Sequence, residues 1–359
     1  MDLIYFRVPY KYFYFTKVFR SNALNFVKRE LAYNRNVRDN LVELENKIRG
    51  CNTAEQFLKC FDDYPSDCSL KYKNNIFYIL ATIASILCFL VFFVAIKEGD
   101  QALLYLLLMP LIVFFTGYYF KQSDEHRQRL ITAMENIYLE KKYGFEWLKD
   151  QPNITHQQNR QDYAFLFKKG NHKNDTSYYA SGFFDLDGKQ MPYTIFQYHY
   201  IDKHIETYRE NGKKKERVVY KYYDSWGVFV SCISSPAFAI TSYDNRYFSI
   251  PWSTSLIEFN ERHSISGESE IELAKMLTPK NLLFFESFLK AHDFFELVSN
   301  DTNATLCLTF KWDILERENI TPKKCISVKQ LGEHFSGLSM PAFEVFQDKT
   351  KPLLNRMVG

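Results

Sequence analysis

Two uncharged apolar runs, Ile76–Ile96 and Ala102–Phe120, constrain this chain more than any other feature of it. At a rise of about 1.5 Å per helical residue they reach roughly 31 Å and 28 Å, close to the hydrocarbon thickness of a bilayer. Five residues join them, Lys97–Gln101, and Glu98, Gly99 and Asp100 there suit a tight polar turn. The pattern predicts a transmembrane helical hairpin. Neither run holds an Asp, Glu, Lys, Arg or His side chain. Transporters, proton relays and voltage sensors place such groups in the membrane because their chemistry needs them there, so the spans read as an anchor.

Lys59, Lys71 and Lys73 precede the hairpin and Lys121, Arg127, Arg129, Lys141 and Lys142 follow it, against Lys97 alone in its loop. Positive-inside counting puts both long arms and both termini in the cytoplasm. Met1–Arg20 alternates aromatic and basic residues without a continuous apolar core, so the first span is expected to serve as the insertion signal. The aromatics of that segment suit either the lipid headgroup region or packing against folded protein.

Lys plus Arg (45) nearly balance Asp plus Glu (42). The net charge of +3 is far from the excess of a dedicated nucleic-acid binder, and no nucleic-acid partner is expected. Mean hydropathy is negative despite two spanning runs. The residues after Asp150 therefore belong to a water-soluble domain large enough for its own core. Cys51, Cys60, Cys68, Cys88, Cys232, Cys307 and Cys325 include no C-x-x-C pair, and Cys88 lies inside the first span. Neither a zinc site nor a disulfide framework is expected.

Four regions follow: a helical N-terminal arm (1–75), the hairpin (76–120), a juxtamembrane stalk helix (121–149) and an α+β domain (150–359). A long helix is expected over 18–49, where Val37, Leu41, Leu44 and Ile48 repeat at helical spacing and Gly50 closes it. A short helix follows from about Ala54. Leu130, Met134, Ile137 and Lys141 are expected to line one face of a helix from Ser123 to about Trp147, pairing with the first as a stalk. Lys149–Arg160, polar and containing Pro152, reads as the linker to the domain.

Within the domain, strand-like runs cover Tyr163–Phe167, Ser177–Phe184, Tyr193–Tyr208, Arg217–Tyr223, Gly227–Ile233, Ala237–Tyr243 and Leu256–Ile265. Asn211-Gly212 suits a type I′ hairpin turn, since both central residues need positive φ. Ser269-Glu270-Ile271-Glu272 has capping-box spacing. Thr278-Pro279 reads as an N-cap with Pro at the first helical position, opening a helix through Leu282, Phe285, Phe288 and Leu289. A hairpin of Phe294–Ser299 and Thr305–Trp312 and a final helix at Ser327–Phe335 complete the chain. Strands followed by helices argue for α+β with a mostly antiparallel sheet and packed helices.

Phe183-Phe184-Asp185-Leu186-Asp187-Gly188 resembles the opening D-x-D-G motif of haloacid-dehalogenase-like phosphatases. That resemblance implies Asp185 as nucleophile and Asp187 as general acid in a membrane-tethered hydrolase. Lys189 stands where that family usually has Thr, however, and Met191–Tyr200 reads as a strand returning directly. A hairpin turn at Asp187-Gly188 is the simpler expectation. Lys213, Lys214, Lys215 and Arg217 form the densest basic patch, a candidate contact for an anionic surface. No P-loop, G-x-G-x-x-G, G-x-S-x-G or H-E-x-x-H occurs, so no cofactor, metal-ligand set, small-molecule substrate or catalytic residue is predicted.

Ser181-Gly182-Phe183-Phe184 and Asp224-Ser225-Trp226-Gly227-Val228-Phe229-Val230 carry a further likeness. So does Ile257-Glu258-Phe259-Asn260, leading through Gly267-Glu268-Ser269-Glu270 to Met276-Leu277-Thr278-Pro279. Together with a hairpin ahead of a β-rich domain, residues 160–312 resemble the bacterial membrane family catalogued as domain of unknown function 3137. The resemblance implies a bacterial inner-membrane protein and supplies no active-site residue. The resulting expectation is a non-enzymatic anchor whose cytoplasmic α+β domain is a protein-binding, scaffold or sensor module, acting on a protein partner or on itself. The alternatives are the hydrolase and a sensor-gated effector that permeabilises the membrane.

Overall fold

The computed structural model describes residues 10–62, 64, 68–98, 108–148, 154–242, 247–291, 296–300, 304–318 and 325–358. The chain is α+β, with a large antiparallel sheet and many helices. It divides into two units, Met1–Tyr138 with Thr321–Ser336, and Leu139–Ile320 with Gly337–Gly359. The late segment Thr321–Ser336 thus belongs with the first unit.

The first unit is helical: α1 (Tyr10–Arg49), α2 (Ala54–Asp62), α3 (Asn75–Glu98), α4 (Leu108–Phe120), most of α5 (Asp124–Tyr143) and α10 (Val328–Gly337). Val37, Leu41, Leu44 and Ile48 are all buried, as their spacing predicts. The rings of Phe57 and Phe61 on α2 close on Phe335 of α10 at 5.0 and 5.3 Å, and Phe57 lies 5.1 Å from Tyr138 of α5. The buried face of α5 differs from the expected one. Arg127, Ile131, Met134, Glu135, Tyr138 and Leu139 point inward, while Leu130 and Ile137 are half-buried and Lys141 is exposed. Two inward positions are charged, which hid the stripe. Arg127 donates to the carbonyl of Cys325 at 3.2 Å, and Glu135 meets His334 at 2.8 Å.

Of the two apolar runs, α3 covers the first. Its window Asn75–Phe92 has a mean hydropathy of 2.3 and only 11% of its residues buried, long and apolar enough to cross a membrane by length and composition. The second run is described only from Leu108, and its earlier part lies outside the described residues, as does the joining loop after Glu98. The two helices are tied at one end: Asn74 donates to the Gln122 carbonyl at 3.2 Å and accepts from the Gln122 N–H at 2.8 Å. Gly117 lies so close to Leu80 that a Cβ there would sit 2.9 Å from the leucine Cβ.

The second unit is a nine-stranded sheet: β1 (Phe145–Trp147), β2 (Lys173–Leu186), β3 (Lys189–Glu210), β4 (Lys213–Ser231), β5 (Phe238–Thr241), β6 (Ile250–Trp252), β7 (Ser264–Gly267), β8 (Glu296–Asn300) and β9 (Thr305–Phe310). The order is β1-β2-β3-β4-β9-β8-β5-β7-β6, with every pair antiparallel. Helices α6 (Ile154–Asp162), α7 (Ile257–Arg262), α8 (Glu270–Met276), α9 (Pro279–Ala291) and α11 (Pro341–Val358) accompany it. Alternation along β3 splits its core residues between two faces. Phe196 and Tyr198 pack under Tyr163, Leu166 and Phe167 on one side. On the other, Tyr193 and Phe184 meet Phe343 and Phe346 of α11.

Several local expectations are corrected. Tyr163–Phe167 is not a strand: α6 ends at Asp162 and a 3₁₀ turn covers Leu166–Lys168. Its buried residues, Tyr163, Leu166 and Phe167, stand three and four apart, a helical spacing inside a run short enough to pass for a strand. That helix also occupies most of the expected polar linker, whose start lies outside the described residues. Leu256–Ile265 divides into α7 and β7, because Asn260 clasps Thr254 through both its amide oxygen and its amide nitrogen and so turns the chain. Arg217–Tyr223 and Gly227–Ser231 lie on one strand, which ends at Ser231, short of the expected Ile233. Asp224 and Ser225 look like a break but are bonded to His199 and to the Phe310 carbonyl. Helix α5 stops at Tyr143 where Gly144 takes φ 70°, so Phe145–Trp147 is strand. Ser327 does cap α10, but α10 is not the last helix; α11 follows, with Pro352 inside it.

Candidate functional site

Strands β3 and β4 outrun their neighbours. The β2–β3 pairing ends at Lys173↔Ile201, and β9 joins β4 only over Trp226–Ser231. Residues 202–221 are therefore a two-stranded arm, closed by Asn211 (φ 53°) and Gly212 (φ 76°), the positive pair that the Asn-Gly dipeptide predicts. At its base, Asn171 accepts from the Lys203 N–H at 2.7 Å and donates its own N–H to Asp202 at 3.1 Å.

Register sorts the arm into two unlike faces. Ile201↔Tyr222, Lys203↔Tyr220 and Ile205↔Val218 share one, which ends at Arg209↔Lys214. Ile205 and Tyr222 are each 66% exposed. The opposite face is a charge ladder of Glu206↔Arg217, Tyr208↔Lys215 and Glu210↔Lys213. Arg217 bonds Glu206 at 2.8 Å and Lys215 bonds Glu210 at 2.5 Å. The guanidinium beside Glu206 holds that carboxyl below its usual range. Of the four cations singled out from the sequence, Lys215 and Arg217 are thus paired, and all four lie at the exposed tip or its returning strand. The arm, residues 202–221, holds seven Lys or Arg against Asp202, Glu206, Glu210 and Glu216, a net +3 that equals the total of the whole chain.

Asp185 and Asp187 sit at the exposed β2–β3 turn. Asp185 accepts from the Gly188 N–H at 3.1 Å, and Asp187 and Gly188 take φ 51° and 84°. Among the described residues no three His, Cys, Asp or Glu side chains come together to hold a metal ion. The sheet around this turn is antiparallel throughout its pairings, unlike the parallel sheet that the phosphatase resemblance implies.

Two buried polar arrangements escaped the sequence reading. Glu296, 2% exposed, accepts from Tyr247 at 2.6 Å, Lys169 at 3.0 Å and Thr309 at 3.2 Å. It fixes β8 and raises the already desolvated thiol of Cys307. In the helical unit, Glu30 accepts from the Ile76 N–H at 3.0 Å, and Asn34 exchanges two 2.8 Å bonds with the backbone of Lys73. Both hold the start of α3 against α1. Only their placement at helical spacing on the inward face of α1 could have signalled them. A cleft of about 260 Å³ lies between the loop at Ser234 and Ser235 and the helices α8, α9 and α11. Its cations are engaged, Arg356 with Asn281 and Lys275 with Glu272.

Compared with family models, curated proteins and solved structures, the chain matches none.

Proposed function

We propose that the chain is a bacterial inner-membrane protein, anchored by the hairpin 76–120 with both termini cytoplasmic, whose sheet domain is a binding module. The exposure of α3 carries this reading. Tyr78, Ile86, Phe89, Leu90 and Phe92 are all more than half exposed. An apolar surface of that extent is costly in water and at rest in lipid. The polar groups of α3 and α4 fit the same solvent: Thr82, Ser85 and Thr116 each bond the carbonyl four residues back, so they stay satisfied in hydrocarbon. Alkaline carbonate washing of cell membranes tests it. The chain is expected to stay with the pellet, and a double Ile83→Lys, Ile86→Lys variant to leave it; release of the unaltered chain would overturn the reading.

The arm favours an acidic protein surface as the partner. Its net +3 supplies charge complementarity, and Tyr220, Tyr222 and Ile205 supply the apolar contact that such charges orient. A photo-crosslinker at Ile205 in native membranes is expected to join an Asp- and Glu-rich segment of another protein. Lys213→Glu, Lys214→Glu and Lys215→Glu together should abolish the adduct, as should high salt. Adducts to lipid alone would overturn this choice of partner.

A further inference from the structure

Helix α1 ends by tightening, with the Gly50 N–H donating to Lys47 at 3.2 Å and the Cys51 N–H to Ile48 at 3.1 Å. The chain then turns back at once. Asn52 donates its N–H to the Gln56 side chain at 2.9 Å, and Gln56 donates its N–H to the Thr53 hydroxyl at 3.2 Å. This reversal brings the sulfurs of Cys51 and Cys60 within 3.3 Å of each other. Neither thiol is free to drift, since Cys51 also lies 3.4 Å from the Lys47 carbonyl and Cys60 3.3 Å from that of Gln56. Cys51 is buried and Cys60 is half-exposed.

We propose that Cys51 and Cys60 are a thiol pair that a low-molecular-weight disulfide, of the oxidised-glutathione class, converts to an intramolecular disulfide. Cys60, the accessible member, loses its proton to water and attacks one sulfur of the small disulfide. That S–S bond breaks, one small thiol leaves with a proton, and Cys60 carries the other half as a mixed disulfide. Cys51 then loses its proton and attacks the Cys60 sulfur, forming the Cys51–Cys60 bond and expelling the second small thiol. Two protein thiols are oxidised by two electrons and one small disulfide is reduced to two thiols.

The second step is the one the geometry favours. The sulfurs already stand near attack distance, and a bond needs a further approach of about 1.3 Å. Eight residues lie between the two cysteines, so the bond ties the end of α1 to α2, whose Phe57 packs on Phe335 and Tyr138. Two other thiols are poorer reactants. Burial pushes those of Cys307 and Cys325 up, away from the reactive thiolate.

The test equilibrates the full chain in detergent micelles with glutathione buffers of increasing oxidation, then alkylates it under denaturing conditions and maps it by mass spectrometry. Cys51 and Cys60 should lose alkylation together as one linked peptide, lighter by two hydrogens and restored by dithiothreitol. In Cys51→Ser, Cys60 should retain glutathione, the adduct persisting about tenfold longer or more because no neighbouring thiol displaces it. The proposal fails if the unaltered chain accumulates glutathione on Cys60 without the linked peptide. It fails equally if both cysteines stay alkylatable at a poise where exposed Cys232 is already modified.

Discussion

Gly227 lies directly under the ring of Phe196, and Gly182 under that of Tyr193, so a Cβ at either position would enter the ring. Both glycines stand in extended strand, where the demand is for space and not for an unusual backbone angle. Gly227→Ala is therefore expected to cost about 2 kcal/mol through overpacking, read as a lowered urea midpoint. His263 poses a different problem. Its ring rests 4.8 Å from that of Phe259, its Nδ1 is buried without a partner, and burial lowers its pKa below the usual 6.5. The unfolded chain then binds the proton more readily than the folded one, so stability declines as pH falls through about 6.5 and keeps declining until the folded value is passed. His263→Leu should flatten that part of the urea-midpoint profile between neutral pH and about pH 5. His334 and Glu135 carry a third expectation. Both are buried and 2.8 Å apart, and His334→Leu, which takes this partner from the carboxylate, should cost about 3 kcal/mol.

An arm of two strands has no third strand and no core beneath it, so it is held mainly by its turn and its cross-strand pairs. Amides of residues 204–219 should exchange with deuterium on the order of 100-fold faster than those of Tyr193–Tyr198, which lie between β2 and β4. Gly212→Val, forced to keep φ near 76°, should speed that exchange further. Much at this scale was legible in the sequence. Asn211-Gly212 announced the turn, Ser269 and Thr278 announced their helices through hydroxyls that accept from Glu272 and Asn281 N–H, and the stripe from Val37 to Ile48 announced a buried face. The rest was hidden for physical reasons. No helix was expected beyond Phe335, yet α11 runs through Pro352 with Phe343, Phe346, Leu353 and Leu354 all buried. Asp185 and Asp187 stand at the β2–β3 turn, the hairpin that the sequence predicts there. The apolar side of the arm was overlooked because Ile205, Val218, Tyr220 and Tyr222 recur at every second position of their strands, and period-two alternation ordinarily means a sheet face packed on a core.

For the whole molecule, the question is which solvent α3 meets. An apolar helix of a water-soluble protein hides its length in a core, whereas the α3 window is 11% buried and its start is held by Glu30 and Asn34 of α1. Inner-membrane anchoring with both arms on one side is the central claim, and a pair of topology reporters tests it most directly. A phosphatase that is active only outside the cytoplasm, inserted after Gly99, and a fluorescent protein that folds only inside it, fused after Gly359, should both give signal. The same reporters exchanged between the two sites should give none. Phosphatase activity at Gly359, or fluorescence at Gly99, would contradict the account.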